Sequence, residues 1–213
     1  MKGLLVKDLY MSKSYCRVYV LIAATFLVLH AVTTMSGNEN LFFLLYPTVL
    51  AGMVPVNLIA YESQCKWEQF AGTLPYTRAQ LVSAKYLIGT LFFGILLVLS
   101  LAVMGLAMAI AGSFSPVTLW NQSVLMALCF FGSCTIILPL VFRFGVEKAR
   151  IFYLTAIGLL CGLTAAIAFI SSGSSYSWNV ELPRATPLMA LAAVVLYLLS
   201  WGLSIRFYQK REL

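Results

Sequence analysis

The sequence predicts an all-α, polytopic membrane protein with a single transmembrane domain over residues 1–213. Two observations carry this prediction. The chain is 62% hydrophobic and only 10% charged, whereas a soluble domain averages about 25% charged residues. The charged residues are also clustered, because none occurs in 18–38, 40–61, 86–142, 151–180 or 185–205. A chain this apolar could not hide its apolar surface inside a water-soluble core.

Six helical spans follow from these charge-free intervals. A helix needs roughly 20 apolar residues to cross about 30 Å of hydrocarbon. The interval 86–142 is long enough for two crossings, with GSFSP (112–116) as the break between them. The apolar segments are too long and too continuous for the strands of a barrel. The predicted spans are about 16–35, 41–61, 86–111, 119–142, 151–171 and 188–207.

The basic residues predict the orientation of these spans. With six spans, 13 of the 14 Lys and Arg residues lie on one side of the membrane, and only Arg184 lies on the other. Lys and Arg are enriched in cytoplasmic loops, so both termini are expected in the cytoplasm. The net charge of +7 is then spread over four short cytoplasmic segments, and it requires no nucleic-acid partner.

Residues 1–13 are too short to span the membrane and mix apolar with basic side chains. They are expected to form a short interfacial helix on the inner leaflet, near anionic headgroups, with an irregular lead-in to the first span as the alternative. In span two, Pro47 and Pro55 each remove a backbone hydrogen bond, so this helix is expected to bend or open locally. The prolines could act as flexible points or as static kinks.

The longest polar passage runs from Glu62 to Lys85, between spans two and three. It contains four apolar residues spaced i, i+3, i+4 and i+7, which predicts one apolar face of a short cytoplasmic helix. These residues are Trp67, Phe70, Ala71 and Leu74, with Lys66 and Glu68 on the other side and Pro75 at the end. The apolar face could lie on the membrane surface. It could also fill a groove on a cytoplasmic partner, where a tryptophan flanked by charges suits a buried anchor.

A second helix is predicted directly after this break. Thr77 and Gln80 match the capping box, in which an N-terminal Ser or Thr and a Glu or Gln three residues later pair with each other's backbone N–H groups. This helix becomes span three, and Lys85 marks where it enters the lipid.

The sequence contains no nucleotide-binding P-loop and no catalytic or metal-binding pattern. Neither GxxxxGK[ST] nor HExxH occurs, and His30 is the single histidine, so neither an enzyme nor a metal site is predicted. Apart from Arg17 and Arg206 at the ends of the first and last spans, no predicted span contains Asp, Glu, Lys or Arg, which argues against a proton-coupled carrier. Active transport by this chain would take its energy from another polypeptide.

Two stretches and the six-span topology resemble the membrane subunits of type-2 ABC exporters. The stretches are LLVKDLY (4–10) and TLPYTRAQLVSAKYL (73–87). More narrowly, the chain is similar to the small six-helix permeases of the phenol-soluble modulin and bacteriocin-immunity type. Their string LP-x-[ST]-R-x-x-[ILV]-V-x-x-K-Y is matched by Leu74, Pro75, Thr77, Arg78, Leu81, Val82, Lys85 and Tyr86.

The resemblance implies a permease of the bacterial cytoplasmic membrane that pairs with a second copy or a related permease. Each would dock on an ABC ATP-binding subunit, which holds the ATP and Mg²⁺ that this chain does not bind. The short helix after span two would be the coupling helix. The expected ATPase contacts are Lys66, Trp67, Glu68, Phe70, Ala71, Leu74, Pro75, Thr77 and Arg78. The alternatives are an ATP-independent carrier or channel, and a membrane scaffold or immunity protein that binds a toxin.

Charge-free spans would enclose an apolar and aromatic pathway, which suits an amphipathic or lipid-like cargo. Together with the resemblance, this favours export of amphipathic peptides such as antimicrobial or cytolytic peptides. The candidate lining residues are Phe26, Phe42, Phe43, Tyr46, Phe152 and Tyr153. Gly158 and Gly162 form a GxxxG pair in span five, where helices can approach closely within one subunit or between two copies.

Overall fold

Helices make up almost all of the described chain. The computed structural model describes residues 2–15, 17–36, 41–67, 70, 76–112, 114–152, 154–155 and 186–210. In chain order the helices are α1 (Lys2–Tyr15), α2 (Arg17–Met35), α3 (Leu41–Gln64), α4 (Arg78–Ile110), α5 (Pro116–Phe144) and α6 (Thr186–Lys210). Residues 146–152 and 154–155 are also helical. No strand occurs within these ranges, which agrees with the predicted all-α class.

Five of the helices are long and apolar enough to cross a membrane. They are Arg17–Met35, Phe42–Gln64, Arg78–Ile110, Pro116–Phe144 and Leu188–Gln209. Each overlaps one of the predicted spans. The remaining predicted span, 151–171, is described only at its start, where 151–152 and 154–155 are helical. The rest of that span lies outside the described residues.

The N-terminal segment forms a helix, but its buried face is partly polar. Leu4, Asp8 and Ser12 are all buried. They are spaced four residues apart, and this spacing places their side chains on one stripe of the helix. On the other side of α1, Val6 and Tyr10 are exposed. The buried stripe packs α1 against α2, α3 and α4. Apolar periodicity alone does not reveal this stripe, since two of its three members are polar.

The predicted capping box starts α4, and this prediction is confirmed. The Thr77 hydroxyl oxygen accepts a hydrogen bond from the Gln80 N–H at 3.3 Å, and the Gln80 side-chain oxygen accepts one from the Thr77 N–H at 3.2 Å. These bonds satisfy donors that the first turn of a helix otherwise leaves unpaired. From this cap α4 continues through Lys85 to Ile110.

Close contacts join α3 to two of its neighbours, α4 and α5. Pro47 and Pro55 both lie inside α3, which continues through them. At Gly89 of α4, a Cβ atom would lie 3.4 Å from the Pro55 Cγ atom. At Gly52 of α3, a Cβ atom would lie 3.6 Å from the Cys134 Sγ atom of α5. Glycine at these positions therefore allows the helices to approach closely, as small residues do in membrane bundles.

The centre of the bundle is formed by α3, α4 and α5, and α6 packs against α4 and α5. Phe93 of α4 and Phe130 of α5 stack with 4.4 Å between ring centroids and 9° between ring planes. One end of the bundle brings together the end of α3, the start of α4 and the ends of α5 and α6, with α1 packed beside them. We call it the basic end, because it carries Lys7, Arg78, Lys85 and Arg143.

Candidate functional site

The segment predicted to dock on a partner begins with a sharp turn after α3. We call residues 66–75 the docking segment. Lys66 has φ 52°, in the left-handed region that costs an L-residue about 1–2 kcal/mol, and its N–H donates to the Ser63 carbonyl at 3.2 Å. Trp67 and Phe70 are each helical. Lys66 therefore lies in the turn that separates the docking segment from α3.

Two aromatic residues of the docking segment contact each other. The ring centroids of Trp67 and Phe70 lie 5.3 Å apart, as expected for residues at i and i+3 on one helical face. Phe70 is 56% exposed, whereas Trp67 is half-buried. The other predicted members of the segment lie outside the described residues, namely Glu68, Ala71, Leu74 and Pro75.

Trp67 also contacts α1. The Lys7 Nζ atom lies 3.9 Å from the centroid of the indole ring, within the range of a cation–π interaction. Trp67 borders a cavity of about 30 Å³ together with Leu4, Glu62 and Lys85. The tryptophan that the sequence suggests as an anchor in a partner is thus engaged within its own chain. Phe70 is the more exposed of the two rings.

A cluster of four charged side chains lies directly beside Trp67, and we call it the charge cluster. The Lys85 Nζ atom lies 2.7 Å from a carboxylate oxygen of Asp8 and 2.7 Å from one of Glu62. Lys7 donates a hydrogen bond to the same Glu62 oxygen and lies 3.2 Å from the other Asp8 oxygen. These contacts join α1, the end of α3 and the second turn of α4.

The charges in this cluster balance, with two ammonium groups and two carboxylates. Asp8 is 0% exposed, Lys85 5% and Glu62 7%. Taking ions out of water is costly, and the cost is recovered only where the partners and hydrogen bonds are well placed. Removing one member of such a buried set costs about 3–5 kcal/mol, because it leaves an uncompensated charge. The charge cluster therefore fixes how α1 sits on α3 and α4.

The side of α4 that faces α6 carries hydrogen-bonding groups instead of charges. The Tyr86 hydroxyl lies 3.1 Å from the Ser200 hydroxyl and 2.7 Å from the Ser204 hydroxyl. The Trp201 indole N–H donates to the Ser83 hydroxyl at 3.1 Å. All of these groups except Trp201 are buried, and the hydrogen bonds satisfy groups that would otherwise be costly away from water. The first turns of α4 are consequently held from two sides.

Two further hydrogen bonds complete the basic end. Arg78, predicted as an ATPase contact, donates from its guanidinium group to the Gln209 carbonyl of α6 at 3.0 Å. Arg150 donates to the Asn57 side-chain oxygen of α3 at 2.9 Å. Thr77, also predicted as an ATPase contact, acts as the cap of α4. Both Thr77 and Arg78 thus have structural roles within the chain.

Four of the six candidate pathway residues form one aromatic cluster. Phe26 of α2 stacks on Tyr46 of α3 with 4.5 Å between ring centroids. The ring centroids of Phe42 and Phe43 lie 6.2 Å and 6.0 Å, respectively, from that of Phe26. The cluster lies in the half of the bundle away from the basic end, and Phe42 is its most exposed member at 62%. These distances suit offset and edge-to-face ring pairs.

The family is decided by a match that covers nearly the whole chain. The model of a family described as "ABC-2 family transporter protein" matches residues 3–209. The chain belongs to this family. ABC-2 permeases are multi-pass membrane components of transporters, are not themselves catalytic, and work with an ABC ATP-binding subunit. The matched residues include both α1 and the docking segment. No curated protein matches the chain.

Of the remaining candidate residues of this permease, the structure describes only Phe152. Phe152 is 60% exposed and makes no ring contact with the described members of the aromatic cluster. Tyr153, Gly158 and Gly162 lie outside the described residues. Among the described glycines of the membrane-spanning helices, Gly52 and Gly89 lie at close helix contacts.

Sequence reasoning named none of the four members of the charge cluster as a site residue, although Lys85 belongs to the string that carries the resemblance. The available signal was the scarcity of acidic residues, since the chain has only seven. An acidic residue close to a membrane-spanning helix needs a basic partner. Asp8 and Glu62 both lie near the ends of predicted spans. Pairing them with Lys85 requires the tertiary structure, because the three residues come from separate helices.

Proposed function

We propose that this permease forms the translocation pathway of an ATP-driven ABC exporter, with ATP and Mg²⁺ held by a separate ATPase subunit. The observation that carries the proposal is the physical link between the docking segment and the helices. Trp67 contacts Lys7, and Lys7 pairs with Glu62 and Asp8 next to Lys85. A contact with an ATPase drives transport only if its motion reaches the membrane helices. This chain of contacts supplies such a route.

In the proposed arrangement the protein has six spans, with both termini in the cytoplasm of a bacterium. The basic end then faces the cytoplasm, in agreement with the enrichment of Lys and Arg in cytoplasmic loops. The exposed side of α1, with Val6 and Tyr10, lies against the inner leaflet and its lipids. Two permeases, identical or related, complete the transporter, and Gly158 and Gly162 are candidates for helix packing or for the contact between them.

Within the docking segment, Phe70 is the proposed anchor for the ATPase. Its exposure and its position beside Trp67 support this role, because exposed aromatic side chains often become central contacts in protein interfaces. Trp67 passes the motion to α1 through Lys7. Lys66, Glu68, Ala71, Leu74 and Pro75 form the rest of the proposed coupling helix, while Thr77 and Arg78 hold the start of α4.

The proposed cargo is an amphipathic peptide, which agrees with the narrower resemblance to permeases of phenol-soluble modulin and bacteriocin-immunity systems. The aromatic cluster of Phe26, Phe42, Phe43 and Tyr46 offers rings that can contact the apolar face of a helical peptide. The candidate spans contain few charged groups, so a pathway between them offers few groups that could bind an ion or a sugar. Cytolytic and antimicrobial peptides have the required apolar face.

Co-purification and reconstitution test this proposal. The tagged permease is expressed together with a candidate ABC ATP-binding subunit, and the complex is placed in vesicles. ATP hydrolysis and ATP-dependent movement of amphipathic helical peptides are then measured. We expect Phe70→Asp to abolish ATPase binding, because it places a charge at the proposed anchor. Phe114→Asp is the matched control, since Phe114 is similarly exposed at 60% but lies between α4 and α5.

The outcomes separate the proposed exporter from its alternatives. An ATP-independent carrier would move peptide without an ATPase. A scaffold or immunity protein would bind a toxin without moving it. If no ATPase co-purifies with the intact permease, or if Phe70→Asp binds the ATPase as well as Phe114→Asp does, the proposed coupling through the docking segment is wrong.

A further inference from the structure

We propose that Lys85 is a positioning residue that makes α1, the end of α3 and the start of α4 move as one unit with the docking segment. The inference rests on the proposed function, because it concerns how ATPase motion would reach the helices. It adds a specific device, the charge cluster, to that function. The cluster involves none of the side chains proposed to contact the ATPase or the cargo.

The charge cluster connects α1, α3 and α4. Lys85 bonds Asp8 of α1 and Glu62 of α3 at the same distance of 2.7 Å, so a single ammonium group on α4 connects three helices. Lys7 adds a second link between α1 and α3 through Glu62. Moving any one helix away from the others separates a buried ammonium group from a buried carboxylate.

Contacts between side chains give the direction in which motion would travel from the docking segment. The Phe70 and Trp67 rings are in contact, and the Trp67 ring contacts Lys7. Lys7 is the most exposed member of the charge cluster, with a side chain 25% exposed. A displacement of the docking segment therefore meets the cluster first at Lys7. From there it reaches Lys85, which lies in the interior.

Helix α4 can carry the displacement further. Lys85 is followed directly by Tyr86, whose hydroxyl contacts Ser200 and Ser204 of α6. The cap at Thr77 fixes the start of the same helix. The unit of α1, the end of α3 and the start of α4 is thus connected to α6 through α4, which is continuous. A coupled rigid-body motion requires such a connection.

If the charge cluster only stabilises the fold, a variant that keeps the charges balanced should transport normally. If Lys85 couples the helices, the same variant should transport less peptide per ATP. Lys85→Met leaves two carboxylates facing one ammonium group, so it is expected to impair folding as well as coupling. The double variant Lys85→Met with Asp8→Asn removes one charge of each sign and keeps the Lys7–Glu62 pair. It restores the balance of the cluster but lacks the link between α1 and α4.

The decisive experiment measures peptide transported per ATP hydrolysed in vesicles that contain the permease and its ATPase. For the double variant we expect normal ATPase binding and hydrolysis, with transport per ATP lowered about tenfold, within the usual range of coupling between sites. Lys85→Arg, which keeps the charge, should retain most of the peptide transport per ATP of the unaltered permease. Lys13→Met, at an exposed position of α1, should not change it.

A second measurement uses the intact cluster and does not depend on how the variants fold. Spin labels at Tyr10 of α1 and Ser63 of α3, both exposed, report the distance between the two helices in a cysteine-free background. We expect the same distance without nucleotide and with ADP trapped by vanadate after ATP hydrolysis. A change in this distance between the two states overturns the inference.

The results also distinguish this inference from the proposed function. If the unaltered complex shows no ATP-dependent transport, the proposed function fails. If the unaltered complex transports peptide and the double variant transports the same amount per ATP, only the proposed role of Lys85 is wrong. The proposed function then stands.

Discussion

The indole ring of Trp201 lies parallel to the phenol ring of Tyr86, with 5.6 Å between ring centroids and 6° between ring planes. The stack joins α6 to α4 one residue beyond Lys85. Tyr197 also donates a hydrogen bond to the Tyr86 carbonyl at 3.1 Å. Tyr86 itself is 0% exposed. This aromatic and polar contact is therefore a major link between the two helices.

Removing the Tyr86 hydroxyl is expected to cause a modest loss of stability. Tyr86→Phe keeps the stack but loses the contacts with Ser200 and Ser204, at a cost of about 0.6–1.7 kcal/mol, the range for hydrogen bonds between membrane helices. Tyr86→Ala also loses the packed ring and should cost about 3–5 kcal/mol. Unfolding in mixed detergent micelles measures both. Tyr10→Phe is the control, since Tyr10 is 74% exposed, and an equal loss there would contradict the assignment.

The capping box at the start of α4 gives a second prediction. Thr77→Ala removes the side-chain oxygen that accepts the Gln80 N–H, and loss of a cap typically costs about 1 kcal/mol. Thr77→Ser keeps the oxygen and should be neutral. Hydrogen exchange at residue 77 and at Gln80, the two N–H groups of the capping box, should accelerate in the alanine variant alone. Unchanged exchange at these amides would mean that the cap does not hold the helix start.

The contact between Gly89 and Pro55 predicts a steep dependence on side-chain size. A Cβ at Gly89 would lie 3.4 Å from Pro55 Cγ, so Gly89→Ala should be tolerated. In Gly89→Leu the added carbons have no space, and overpacking costs typically about 1–3 kcal/mol. Gly94→Leu on the same helix is the matched control, because no atom lies within 4 Å of a Cβ there. Thermal unfolding of the purified permease compares the three variants.

If the control Gly94→Leu unfolds as early as Gly89→Leu, leucine at either position disturbs α4 for another reason. The close approach of α3 and α4 would then not explain the glycine.

The aromatic cluster allows the predicted pathway residues to be separated by function. Phe26→Ala removes the ring that contacts Phe42, Phe43 and Tyr46. We expect it to reduce peptide-stimulated ATP hydrolysis about tenfold, a loss of about 1.4 kcal/mol, while basal hydrolysis stays normal. Phe152→Ala should have a smaller effect, because Phe152 lies apart from the cluster. Equal effects of the two variants would remove the basis for assigning the pathway to the cluster.

Much of the helical architecture can be predicted from this sequence, because each helix is specified locally. A continuous apolar stretch satisfies its own backbone only as a helix in lipid. The Thr77–Gln80 cap likewise involves residues three positions apart. The helical spacing of Trp67 and Phe70 is equally local, and their rings do come into contact.

The functional meaning of Trp67 could not be predicted in the same way. Its spacing and flanking charges are the same whether it enters a partner or packs on its own chain. Contact with Lys7 depends on how α1 folds back onto the bundle. The same holds for Phe26 and Phe152. Both are phenylalanines in predicted apolar spans, but of the two only Phe26 lies in the aromatic cluster.

The sequence by itself determined the class of the protein, the apolar helices and the polar segment between α3 and α4, because these follow from composition and from contacts within a few residues. Only the tertiary structure decided that Asp8, Glu62 and Lys85 meet. Their charges come from three helices, and attraction between buried ions is effective only at short range and in the right geometry. No periodicity encodes that meeting, since it arises when the helices pack.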